Sequence, residues 1–151
     1  MSDYLNEFYT HHCDEDKRLD YRHSQTEFMT TVRYIEKYLK PGHRIIEIGA
    51  GTGAYSHYFA QKGYVVDSVE LIAHNIEVFK SKTIPTEKIT ITQGNALDLN
   101  AFADSTYDIT LLLGPMYHLY TSEEQLKAMS EAIRVTKKGG IIFAAYCGND
   151  A

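Results

Sequence analysis

Arg44-Ile45-Ile46-Glu47-Ile48-Gly49-Ala50-Gly51-Thr52-Gly53-Ala54 carries the strongest local pattern in the chain. Ile45, Ile46 and Ile48 form a β-branched run that suits a short strand covered on both faces. Gly49, Gly51 and Gly53 follow at alternate positions, where a chain without Cβ atoms can turn sharply and approach a ligand closely. A helix opening at Ala54 would aim its free N–H groups and positive dipole end at whatever occupies the turn. This pattern predicts a nucleotide-type cofactor at the mouth of a first βα unit.

Working outward, Ser24-Gln25-Thr26-Glu27 has the form of a capping box. Phe28, Val32, Ile35 and Leu39 follow at helical spacing, and Lys40-Pro41-Gly42 stops that helix. After the glycine turn a helix is expected near 54–62, with Gly63 as its left-handed terminator. Residues 64–70 read as a second strand and 73–82 as a helix with Ile76 and Phe79 inward. Residues 88–93 alternate as an outer strand with one wet face. Residues 108–113 form a strongly apolar strand ending at Gly114-Pro115. Ser122-Glu123-Glu124-Gln125 reads as a second capping box, opening a helix with Leu126, Met129 and Ile133 on one stripe. Lys137-Lys138-Gly139-Gly140 would close that helix before a fifth strand at 141–146. Strands alternating with helices imply an α/β fold: a doubly wound, mostly parallel, Rossmann-like sheet of about five strands with helices on both faces. A ligand then belongs at the carboxyl ends of the strands, near the switch point.

The 151 residues fit one domain, with 1–23 as an N-terminal arm or lid and 24–151 as the cofactor-binding domain. The net charge of −5, with no Lys/Arg-rich block, gives no footprint for nucleic acid or an anionic membrane. Cys13 and Cys147 are too far apart in sequence to suggest a disulfide framework, and residues 1–4 show no leader pattern, so a cytoplasmic location with free thiols is expected. His11-His12-Cys13-Asp14-Glu15-Asp16 contains ligand-type residues, but their adjacent spacing matches no zinc pattern and no metal is expected.

Gly49, Gly51 and Ala54 also satisfy the dinucleotide fingerprint G-x-G-x-x-G/A. Glu70 closes strand two, where a carboxylate would take two ribose hydroxyls, a device shared by NAD enzymes and methyl-transferring enzymes. Glu47, Gly49, Gly51 and Gly53 give acid-x-Gly-x-Gly-x-Gly, and with Glu70, Gly94-Asn95-Ala96 and Gly114-Pro115-Met116-Tyr117-His118-Leu119 the chain resembles the class I S-adenosylmethionine-dependent methyltransferases of small-molecule type. The resemblance covers about residues 24–148.

That resemblance implies S-adenosylmethionine as the cofactor, held by Glu47, Gly49, Ala50, Gly51, Gly53, Glu70, Leu71, Asn95, Ala96 and Leu113. It also implies that Glu47 lies near the amino acid end of the cofactor and that Leu71 packs on the adenine. Asn95 stands where the family often has aspartate, so its contact to the adenine amino group is uncharged. Family members usually carry an antiparallel strand pair after the fifth strand, so the chain is expected to be a C-terminally truncated or minimal version. Its fifth strand would be an exposed apolar edge paired with another copy, a homodimer, or covered by a tail.

Methyl transfer from a sulfonium needs mainly orientation and exclusion of water. His118 is the candidate base, and Tyr117, His118, Tyr21 and Arg22 are candidates to line the substrate; Tyr117 and His118 would otherwise simply cap and pack the strand end. Glu47 has its own alternative, a strand-end group satisfying nearby backbone donors. Two other functions stay open: an NAD(P)-dependent oxidoreductase, from Gly49, Gly51 and Ala54, and a cofactor-binding fragment without turnover, because the family's usual last two strands are missing.

Overall fold

Ile45 and Ile46 point to opposite faces of one strand and both are fully buried, so β1 (Arg44–Ile48) has to be a central strand. The structure, a computed structural model, describes residues 2–8, 10 and 22–146. Its strands β1, β2 (Val65–Glu70), β3 (Ile89–Gln93), β4 (Tyr107–Leu112) and β5 (Thr136–Ala144) form one sheet in the order β3-β2-β1-β4-β5. Every pairing in it is parallel. Among the described residues the α-helices are α1 (Ser2–Glu7), α2 (Arg22–Glu36), α3 (Ala54–Gln61), α4 (Ala73–Lys82) and α5 (Ser122–Val135). The doubly wound α/β sheet expected from the strand pattern is therefore the observed one.

Val32 and Ile35 of α2 and Phe59 and Ala60 of α3 meet Ile45, Val66, Ile109 and Leu111 on one face. Ala132 and Val135 of α5 meet Ile46, Ile48, Val69 and Leu112 on the other. The chain winds outward from β1 through β2 to β3, then returns to β4 on the opposite side of β1. The switch point thus falls between β1 and β4, directly at the glycine turn. Helix α3 ends as expected: Gly63 takes φ +95°, its N–H bonds to Ala60 at 3.0 Å and the Tyr64 N–H bonds to Phe59 at 3.2 Å.

Three local expectations are corrected. Ser24 is not a cap, because α2 already includes Arg22 and the Thr26 hydroxyl donates back to the Arg22 carbonyl at 3.0 Å. On α5 the cap is Thr121, whose Oγ1 accepts the Glu124 N–H at 3.1 Å, one residue ahead of the expected Ser122. Leu126 and Ile133 are 71% and 59% exposed, and Ala128, Ala132 and Val135 face the sheet instead. Small residues on that face let the helix lie close to the strands.

Lys137-Lys138-Gly139-Gly140 belongs to β5 rather than to a helix terminus. Thr136 already has extended backbone, and β5 bulges between the pairs Tyr107–Thr136 and Ile109–Ile141. Gly139 takes φ +83° there, and a Cβ on Gly140 would stand 2.7 Å from Thr136 Cγ2.

Candidate cofactor site

The glycine turn is fastened to the end of β2 from both its backbone and a side chain. The N–H groups of Gly49 and Ala50 bond to the Val69 carbonyl at 2.8 and 2.9 Å. Gly51 N–H donates to Glu70 Oε2 at 2.6 Å, and Ile72 N–H donates to Glu70 Oε1 at 2.9 Å. Burial raises the Glu70 carboxyl, opposed by the N–H donors of Ile72 and Gly51 and by the Asn75 amide. Donors from three sides thus hold the carboxylate in one orientation at the strand end.

All three glycines have left-handed backbone: φ is +75° at Gly49, +60° at Gly51 and +92° at Gly53. Their surroundings differ. A Cβ on Gly49 would stand 2.5 Å from Pro115 Cγ, and one on Gly53 would stand 2.4 Å from Phe79 Cδ2. A Cβ on Gly51 would have nothing within 4 Å. The first and third glycines are packed against the protein, while the middle one presents bare backbone to open space.

Glu47 is buried at 3% exposure and takes both the hydroxyl and the N–H of Ser56 in the first turn of α3. Ser68, opposite Glu47 in β2, donates to the Ser56 hydroxyl at 2.8 Å. The Glu47 carboxyl group therefore caps α3 from inside the sheet, satisfying one of the helix's orphan donors. Desolvation pushes its carboxyl up to about 8, against the two Ser56 bonds, with the Glu70 charge adding to the rise. Satisfying nearby backbone was the second of the two roles open to Glu47 in the sequence; Ser56 as the partner leaves no pattern there.

Other expected residues are spread around this centre. Leu71 is half-buried beside Glu70, and Gln93 Nε2 bonds to its carbonyl at 3.1 Å. Asn95 Oδ1 accepts the Leu97 N–H at 3.0 Å, so the amide organises its own turn. Ala96 packs beneath with Met116 and Met129, while Leu113 packs on the α2–α3 side. Pro115–His118 is a 3₁₀ turn, held at its far end by Gln125 Nε2 on the Leu119 carbonyl at 2.8 Å. Tyr117 on it is 41% exposed and His118 half-buried. Arg22 lines an open cavity of about 600 Å³ along α2 with Thr26, Glu27, Thr30 and Thr31. Tyr21, both cysteines and His11–Asp16 lie outside the described residues. No group able to hold a metal ion occurs among the described residues.

A family model described as a methyltransferase domain matches residues 46–144, from the middle of β1 to the end of β5. The chain belongs to the class I S-adenosylmethionine-dependent methyltransferase family. The demethylmenaquinone methyltransferase of Renibacterium salmoninarum is 33% identical over 106 residues, which cover 70% of this chain and 41% of that protein. The S-adenosyl-L-methionine-dependent Diels-Alderase iccD of Talaromyces variabilis is 29% identical over 106 residues, 68% of this chain and 35% of that protein. Among solved structures, a SAM-dependent methyltransferase of Methanosarcina mazei aligns with a TM-score of 0.67 at 25% identity, over 72% of this chain and 54% of its own. The chain thus spans well under half the length of either curated relative. Family membership assigns S-adenosylmethionine as the cofactor type and sets the nicotinamide alternative aside. The residues fit that assignment: Gly51 leaves room for close approach, and Glu70 fixes a carboxylate at the adjoining strand end.

Proposed function

We propose that this chain is the cofactor-binding part of an S-adenosylmethionine-dependent methyltransferase whose acceptor is a small molecule. The observation that carries the reading is the open space at Gly51, with Glu70 bonded directly behind it. Once bound, S-adenosylmethionine supplies a methyl group activated by a sulfonium. Glu70 takes the ribose hydroxyls, Leu71 and Ala96 flank the base, and Asn95 offers its amide to the base edge. The backbone of Gly49, Ala50, Gly51 and Gly53 lies under the cofactor, with Glu47 holding the first turn of α3 and Leu113 closing the β4 side. Tyr117 and His118 on the 3₁₀ turn, with Tyr21 and Arg22 from the N-terminal side, line the acceptor. His118 is the group able to take a proton where the acceptor must lose one.

Calorimetric titration with S-adenosylhomocysteine and, separately, NAD tests this reading. Saturable binding of the former alone is expected, and binding of NAD alone overturns it. A second reading, cofactor binding without methyl transfer, is favoured by the Diels-Alderase among the relatives. Appearance of S-adenosylhomocysteine on incubation with S-adenosylmethionine and a small-molecule extract separates the two.

The same reading includes a homodimer through β5 and a cytoplasmic location. β5 is an edge strand of the sheet among the described residues, which supports the first, with the bulge and Lys137–Lys138 confining pairing to residues 141–144. Light scattering checks it. Among the described residues no helix is long and apolar enough to cross a membrane.

A further inference from the structure

His57 is buried at 7% exposure in α3, within one turn of the glycine turn, and methyl transfer makes no use of it. Its Nδ1 lies 3.0 and 3.2 Å from the two oxygens of Glu87, and its Nε2 lies 3.1 Å from the Phe79 carbonyl. Both ring nitrogens therefore face acceptors.

The surroundings make this arrangement stiff. Glu87 also accepts Gln61 Nε2 at 2.9 Å and the Ile84 N–H at 3.2 Å. Burial works to raise the Glu87 carboxyl, but these bonds and that of His57 outweigh it and hold it below the usual carboxylate range. The imidazole ring lies 4.5 Å from the Phe79 ring, centre to centre. Both rings crowd Gly53: a Cβ there would stand 2.4 Å from Phe79 and 2.8 Å from His57 Cδ2. The Gly53 carbonyl also accepts the His57 N–H at 2.8 Å. A change in the seat of His57 consequently reaches the last residue of the cofactor turn through two contacts.

We infer that His57 is a positioning residue for the cofactor turn: its seat between Glu87 and the Phe79 carbonyl holds the ring against Gly53, so that loss of that seat shifts the turn and lowers ligand affinity there. The inference rests on the proposed cofactor reading for its consequence, though not for the coupling itself. Among the described residues, Glu87 is the charged group bonded to His57; α3 adds the neutral Gln61 amide, and α4 the Phe79 carbonyl, which also accepts the Thr83 hydroxyl at 3.2 Å.

The test uses the full chain, with backbone amides followed by NMR in the wild type, His57→Asn and Glu87→Gln. The Gly51 and Gly53 amides are expected to shift in both variants, and affinity for S-adenosylhomocysteine should fall about tenfold in each, the equivalent of one lost hydrogen bond. A Gly53 amide unmoved in Glu87→Gln, or an unchanged affinity in both variants, overturns the inference. Absence of S-adenosylhomocysteine binding by the wild type, with the amides shifting in both variants, sinks the cofactor reading and leaves the positioning role standing.

Discussion

Gly51 and Glu70 are joined by one short hydrogen bond, N–H to Oε2 at 2.6 Å, and the other carboxylate oxygen holds Ile72 N–H at 2.9 Å. One side chain thereby sets the height of the glycine turn over the sheet and the start of α4. Glu70→Gln keeps the volume but turns one acceptor into a donor facing a donor. Affinity for S-adenosylhomocysteine should drop between about tenfold and about a hundredfold, the range for a lost bond to a charged group. Calorimetric titration at neutral pH reads it, and an unchanged dissociation constant would separate Glu70 from the cofactor.

Glu47 makes stability depend on pH. Its folded carboxyl is raised to about 8 from an ordinary value of 4.5, so the folded state binds a proton that the unfolded state releases. Stability from this group is fully present below the unfolded value and is lost as pH rises through the folded one. Urea midpoints should therefore fall between about pH 5 and about pH 8 in the wild type. Glu47→Gln, neutral at every pH, should remove most of that decline; a variant with the same slope would assign it elsewhere.

The sheet was legible because each strand is an apolar or β-branched run, and because Gly63 and the glycine turn punctuate it. Helix α5 defeats the periodic reading for a physical reason. Its apolar residues form two overlapping stripes, and the bulkier one, Leu126 and Ile133, is the more conspicuous, yet Ala128, Ala132 and Val135 are the buried set. Close approach to a sheet favours the small residues. Gly139 carries the left-handed backbone expected of a helix terminator but serves a strand bulge, a distinction set by pairing with β4. Ser56 under Glu47, and Glu87 beside His57, meet only through tertiary register, which leaves no period in the chain. The candidates for the cofactor site came mainly from the family pattern, and their contacts from the structure.

Thr121 and Ser122 make a clean pair for testing the α5 cap. Thr121 Oγ1 accepts the Glu124 N–H, and Ser122 lies inside the helix. Thr121→Ala should cost about 1 kcal/mol, and Ser122→Ala should change stability by under about 0.5 kcal/mol. Equal effects in chemical denaturation would move the cap back to Ser122.

Gly49 and Gly51 separate folding from binding. A Cβ at Gly49 collides with the Pro115 ring at 2.5 Å, whereas one at Gly51 meets nothing within 4 Å. Both positions carry positive φ, so alanine at either costs about 1 to 2 kcal/mol of backbone strain. At Gly49 the collision adds roughly 1 to 3 kcal/mol, because Pro115 sits in a short turn anchored through Leu119. Gly49→Ala should therefore lower the urea midpoint much more than Gly51→Ala. The order reverses for the ligand: the Gly51→Ala methyl group stands in the space a bound cofactor needs, so affinity for S-adenosylhomocysteine should fall by more than about tenfold in a protein that is still folded. Circular dichroism confirms the fold and calorimetry reads the binding. A Gly51→Ala variant that binds as the wild type does would show that the ligand never comes close to that backbone.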